Sequence, residues 1–217
     1  PDPPRSGRTV LEVDGLSVSY GAMDVFADVT FSMGRGERMV IMGFNGAGKT
    51  SLLRCVAGVQ EPTRGSVRTG LDVVPGYYAQ EHEGLDPYRS LLDQLRDHAT
   101  GQSESELRAL LGMFGLTGDK VFQEAGTLSG GEKTKLALAQ LVAGRNNLLL
   151  LDEPTNNLDP ASRDAVAGSL ADWPGSIVLV SHDTDFVRAL RPDRALLMPD
   201  GTLDHWSDDL LDVVALA

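Results

Sequence analysis

The segment Gly43-Phe44-Asn45-Gly46-Ala47-Gly48-Lys49-Thr50 stands between an apolar run, Met39-Val40-Ile41-Met42, and Ser51 to Ala57. Glycines at this spacing before Lys-Thr read as a phosphate-binding loop that leaves a strand and opens a helix. Its backbone N–H groups and the positive end of the helix then face an anion. Gly43, Gly46 and Gly48 let the chain wrap a phosphate, Lys49 brings a point charge to the β- and γ-phosphates, and the Thr50 hydroxyl is suited to ligating Mg²⁺. Further along, Leu148-Leu149-Leu150-Leu151 ends in Asp152 and Glu153. Alone, two acids after an apolar run mark a strand meeting solvent. Downstream of a phosphate loop they read as a Mg²⁺ ligand, Asp152, and a base for the attacking water, Glu153. Leu128-Ser129-Gly130-Gly131-Glu132 opens another helix, which reads equally as a second anion site or as a plain cap. Gln80 and His182 each follow a strand-like run, and Asp159 follows Asn156-Asn157-Leu158.

These side chains need a frame, and the patterning supplies one. Leu11 to Val13 and Leu16 to Tyr20 read as short strands around a turn at Asp14-Gly15, and Val25 to Ser32 alternates as a third. Gly65 to Arg68 and Val73 to Tyr78 are strand-like. From Tyr88 to Gly115 the period becomes helical, with Leu91, Leu92 and Leu95 followed by Leu107, Leu110, Leu111 and Phe114. Glu132 to Ala143 reads as a helix, and 148–151 as a buried strand. Ala161 to Leu170, Ile177 to Val180, Phe186 to Leu190 and Ala195 to Met198 alternate helix and strand. Thr202 to Trp206 and a closing amphipathic helix follow. Alternation around one phosphate loop predicts an α/β fold with a largely parallel central sheet. The expected organisation is a single domain over 1–217, with 1–7 a linker remnant and about 85–128 an inserted helical subdomain.

The chain has 217 residues, 41% hydrophobic and 23% charged, which is enough for a full core. No apolar stretch approaches the roughly 20 residues of a membrane span. The opening Pro-rich residues resemble neither a signal nor a transit peptide, so no direct membrane insertion is expected. The lone Cys55 excludes an intramolecular disulfide and suits a reducing cytoplasm. With 31 acids against 19 Lys and Arg the net charge is −12. Such a surface repels polyphosphate, so strong nucleic-acid binding by this domain alone is not expected. His82, His98 and His205 lack metal-ligand spacing, Trp173 and Trp206 read as packing anchors, and Arg145-Asn146-Asn147 reads as a polar loop.

The order of phosphate loop, Gln80, Leu-Ser-Gly-Gly-Glu, apolar strand with Asp152-Glu153, Leu158-Asp159 and His182 resembles the ATP-binding cassette ATPases from Leu11 onward. The resemblance implies an ABC-type fold, with an N-terminal antiparallel β subdomain and an inserted helical subdomain, that binds and hydrolyses ATP. It implies that Tyr20 stacks on adenine and that Gly43, Asn45, Gly46, Ala47, Gly48, Lys49, Thr50 and Ser51 hold the nucleotide. Thr50, Gln80 and Asp152 then surround Mg²⁺, Glu153 is the catalytic base, and His182 contacts the γ-phosphate. Ser129, Gly130 and Gly131 contact ATP held by a second cassette, in the same parent chain or in a homodimer, which full activity requires.

Within that superfamily, Asp152 to Asp159, Tyr77 to His82, Leu128 to Lys135 and Asp200 to Ser207 are similar to the C-terminal cassette of the ABC-F proteins. These are soluble, cytoplasmic tandem-cassette factors acting on the ribosome in translation or antibiotic resistance. An ABC-F protein has two cassettes and a basic helical linker, and this chain has one cassette and an acidic balance. The ribosome-facing elements are therefore expected outside it. The other readings are the ATPase subunit of a membrane transporter and a cassette that clamps ATP with little turnover.

Overall fold

A computed structural model describes residues 2–79 and 84–215. The first sheet is antiparallel, with β1 (Thr9–Tyr20) between β2 (Met23–Gly34) and β4 (Arg64–Thr69). The turn expected at Asp14-Gly15 does not form. Instead β1 runs through, with register shifts around these residues, and Gly15 at φ 58° takes up the irregularity as a bulge. Its amide stays satisfied by donating to Thr30 Oγ1 at 2.9 Å.

The second sheet has the order β5-β6-β7-β3-β8-β9. Its strands β3 (Arg38–Met42), β5 (Pro75–Tyr78), β6 (Leu148–Asp152), β7 (Ser176–Val180) and β8 (Arg194–Leu197) are parallel, and β9 (Thr202–His205) closes one edge antiparallel. The apolar runs at 39–42, 148–151 and 177–180 are fully buried because both faces are covered. Alternation divides them between two cores. Val40, Met42, Leu149, Leu151, Ile177 and Leu179 pack with the helices. Met39, Ile41, Leu148, Leu150, Val178 and Val180 pack with the first sheet and helix α1 (Lys49–Val56). Burying each leucine contributes about 1.5–3 kcal/mol.

The remaining helices are α2 (Leu91–His98), α3 (Glu104–Met113), α4 (Gly130–Ala143), α5 (Pro160–Ala171), α6 (Thr184–Leu190) and α7 (Leu211–Ala215). Side chains of Ser90, Ser103, Ser129, Asp159 and Asp183 cap the N-termini of α2 to α6 in that order, each cap contributing about 1 kcal/mol. At the opposite ends, the Arg38 guanidinium donates to the carbonyls of Ala171 (2.6 Å), Leu190 (2.7 Å) and Trp173 (2.9 Å). One cation thus satisfies the negative ends of both α5 and α6.

Arg145 to Asn147 form the loop between α4 and β6, and within it Asn147 is buried. Its Oδ1 accepts from Val74 N–H at 2.8 Å, and its Nδ2 donates to the carbonyls of Asp72 (2.8 Å) and Pro4 (3.1 Å). The approach to β5 and the segment ahead of β1 are thereby tied to the start of β6. Arg35 also holds the carbonyl of Ser6 at 2.8 Å, so residues 4–7 lie against the domain. Trp173 is buried and Trp206 packs partly buried on the helical core. Cys55 is buried, with its thiol pushed up to about 11, which makes it inert.

For the site, the decisive feature is the adjacency of β6, β7 and β3. Val180 is level with both Ile41 and Asp152. The loops leaving these strands therefore emerge side by side at one edge of the sheet, where ligands bind in open α/β folds.

Candidate nucleotide site

The loop after β3 turns into α1 through Gly48, which caps the helix at φ 89°, ψ 12° with no side-chain hydrogen bond. The first N–H groups of α1 consequently have no side-chain acceptor of their own and are available to an anion. A Cβ on Gly48 would lie 2.7 Å from Val25 Cγ1 and Phe26 Cδ1, so sterics as well as dihedral angle require glycine. Lys49 Nζ donates to the carbonyls of Gly43 and, at 3.3 Å, of Phe44. Burial pulls its pKa down, against the charges of Glu153 and Asp152.

A cleft of about 740 Å³ opens here. Asn45 to Ser51 form one wall, and Glu153, Asn156, Val180 and His182 contribute to the rest. Tyr20, at the end of β1, borders it with Val25. The Tyr20 ring is half exposed, and its hydroxyl donates to Gln60 Oε1 at 3.2 Å and lies 3.3 Å from Ser51 Oγ.

Beneath the loop, Thr50 Oγ1 donates to Asp152 Oδ1 at 3.2 Å. Asp152 is only 3% exposed. Burial raises its pKa, while the Thr50 hydrogen bond and the charges of Arg54 and Lys49 oppose the rise. Two hard oxygens side by side, one of them a carboxylate, fit the ligand preference of Mg²⁺.

Glu153 leaves the strand in the left-handed region, φ 49°, which costs a non-glycine residue about 1–2 kcal/mol. The bend turns its side chain into the cleft while its N–H still bonds Val180 O at 2.9 Å. Glu153 Oε2 lies 2.9 Å from His182 Nδ1, a close polar contact short of full hydrogen-bond geometry. Burial pushes the Glu153 carboxyl up, and His182 opposes it. A buried acid with raised pKa beside an imidazole suits proton acceptance.

The helix start at α4 is differently made. Ser129 Oγ accepts from Glu132 N–H, and the Glu132 carboxylate accepts from Ser129 N–H at 2.9 Å and pairs with Lys120. That closed capping box holds Glu132 below the usual carboxylate range, first through Lys120 and then through the Ser129 amide. Ser129 and Gly130 are exposed, and neither they nor Gly131 line the cleft.

The structure therefore brings together Tyr20, Asn45 to Ser51, Asp152, Glu153 and His182. Gly43 sits at the strand–loop junction, where at φ 146° a Cβ would meet Met198 O at 2.5 Å. Gln80 and His82 lie outside the described residues. Val25, Asn156 and Val180 line the cleft without having been assigned to it from the sequence. Val180 was legible as the last residue of an apolar strand, whereas Val25 carries no signal. Among the described residues, no three His, Cys, Asp or Glu side chains converge as a metal cluster, and no helix is long and apolar enough to cross a membrane.

Phosphate loop, paired acids and strand order define an ATP-binding cassette. The family model described as ABC transporter matches residues 26–156, over half of the chain, and the chain belongs to that family. Among its curated relatives are ABC-F proteins. The putative ATP-binding protein YdiF of Bacillus subtilis is 40% identical over 94% of this chain and 32% of its own length. The energy-dependent translational throttle protein EttA of Mycobacterium tuberculosis is 37% identical over 85% and 34%. The chain thus spans about a third of the length of these relatives. Among solved structures, a dimeric post-hydrolysis state of an ATP-binding cassette bound to ADP and Pi superposes with a TM-score of 0.73. The match covers 90% of this chain and 98% of that one at 22% identity, and it shows the shared fold.

Proposed function

We propose that this chain is the ATP-hydrolysing cassette of a soluble ABC-F protein acting on the ribosome, in translation or in relief of antibiotic inhibition. The observation that carries the chemistry is the gathering of Lys49, the Thr50–Asp152 pair and the Glu153–His182 pair at the mouths of three adjacent strands. The phosphates of ATP lie along Lys49 and the α1 N–H groups, and adenine stacks on Tyr20. Thr50 and Asp152, and Gln80 by the family resemblance, would hold Mg²⁺, which when bound would neutralise charge on the phosphates. Glu153 accepts a proton from the attacking water, and His182 contacts the γ-phosphate.

Ser129 to Gly131 serve an ATP held by a second cassette. The exposure of Ser129 and Gly130 outside the cleft supports this assignment. The dimeric cassette with the same fold is consistent with it. The ribosomal role draws on the name of the translational throttle relative and on the ABC-F motifs. RNA affinity has to come from basic elements beyond this chain, whose charge is −12. The family description favours a second reading, the cytoplasmic ATPase subunit of a membrane transporter, which would use the same chemistry.

Co-sedimentation of the full parent protein carrying Glu153→Gln with ribosomes, in ATP at physiological salt, separates the two readings. The ABC-F reading expects a stable complex. Absence of sedimentation together with recovery of a membrane-protein partner contradicts it.

A further inference from the structure

One side chain outside the cleft ties the loop ahead of α5 to the loop between β7 and α6. Arg163, the fourth residue of α5, donates from Nε to the Leu158 carbonyl at 3.1 Å, and its Nη1 lies 3.2 Å from Asp183 Oδ2. Asp183 directly follows His182 and caps α6. Its Oδ1 accepts from Phe186 N–H at 3.0 Å, and its own N–H donates to Ser181 Oγ at 3.1 Å. Oδ2 is buried and lacks a well-angled hydrogen bond, so the Arg163 charge is what balances it.

The peptide just before the one that Arg163 holds, Asn157–Leu158, borders the α4 start. A Cβ on Gly131 would lie 2.7 Å from Asn157 O and 3.6 Å from Leu158 Cδ2. Contacts therefore run without a gap from Gly131 through Asn157-Leu158, Arg163 and Asp183 to His182 and Glu153.

We propose that Arg163 is a positioning residue that fixes His182 against Glu153 and transmits displacement of the Ser129–Gly131 turn to the cleft of the same chain. The inference rests on the hydrolytic role proposed above for that cleft. Guanidinium suits the task because its rigid fork holds a carbonyl and a carboxylate at once, which an ammonium on a flexible stem does not. The Arg163 side chain is half exposed. Its loss should thus remove orientation more than packing. Coupling along this path is measured directly by variants of its members.

The parent, Arg163→Met, Arg163→Lys and Asp183→Asn are compared as isolated chains and with the partner cassette. Arg163→Met and Asp183→Asn should each lower kcat about tenfold, as a small misplacement of a reacting group does, with KM for ATP within about twofold. Arg163→Lys should fall between. The double variant should be no worse than either single one. In the isolated chain the ring NMR signal of His182 should move in both single variants while those of His98 and His205 stay. Gly131→Ala should shift that signal in the parent background and not in Arg163→Met. Parental kcat in Arg163→Met and Asp183→Asn, or a response to Gly131→Ala that survives Arg163→Met, overturns the proposal. Failure of the hydrolytic reading looks different: the parent assembly would not turn over ATP, yet the His182 signal would still move.

Discussion

Two helix starts in this molecule are rich in glycine and serine or threonine, and they are finished in opposite ways. At α1 the cap is Gly48, with no side-chain acceptor, beside a cleft lined by Lys49 and Glu153 with Asp152 buried beneath Thr50. At α4 the cap is Ser129, locked with Glu132 and Lys120 and exposed to solvent. Free N–H groups beside a cation make a site that binds on its own. Where the chain already satisfies two of the donors, as at Ser129 and Glu132, an anion gains less, and another molecule is needed to complete the pocket. The acids follow the same division: burial raises Asp152 and Glu153, whereas hydrogen bonds lower Glu132.

The largest expected effect breaks the α1 side. Glu153→Gln keeps the shape of the side chain but cannot accept a proton, so turnover in the two-cassette assembly should fall about 10²–10⁴-fold. ATP affinity should persist, as single-turnover and binding assays would show. Gly48→Ala should come next, costing about 2–3 kcal/mol of stability in thermal melts, since strain at φ 89° adds to the 2.7 Å clashes with Val25 and Phe26.

Titration sharpens the comparison. For Glu132, whose folded pKa is depressed, the cap's contribution is present above the ordinary glutamate value of about 4.3 and is lost as pH falls through the lower folded value. Asp152 and Glu153, whose folded values are raised, disfavour folding once ionised. They therefore add stability as pH falls through those raised values. On acidification, Mg²⁺-dependent nucleotide binding should fail before the α4 cap does, as calorimetry and circular dichroism across pH would reveal. The smallest effect belongs to Ser129→Ala, about 1 kcal/mol of stability from the lost cap.

How much of this was legible follows the physics of each signal. The strands at 39–42, 148–151 and 177–180 were readable because a doubly covered strand is continuously apolar, and Lys49, Thr50 and Asp152 were readable because they attach to those strands. Ser129-x-x-Glu132 announced a helix start but not its closure by Lys120, a residue brought in by folding. The single long β1 was masked by Gly15, because a bulge and a turn use the same residue. Asn147, Arg38 and Arg163 were opaque. Each acts through carbonyls or carboxylates of segments well separated along the chain, and no local pattern encodes such pairings.

The central claim is that the α1 cleft binds nucleotide by itself and the α4 start takes no part in it. Parallel calorimetric titrations of MgATP into the isolated parent, Lys49→Ala and Ser129→Ala chains test it most directly. Lys49→Ala should lose about 1.5–3 kcal/mol of binding, the worth of a charged hydrogen-bonding group, and Ser129→Ala should match the parent. Equal losses in both variants, or tight binding retained by Lys49→Ala, would contradict the account.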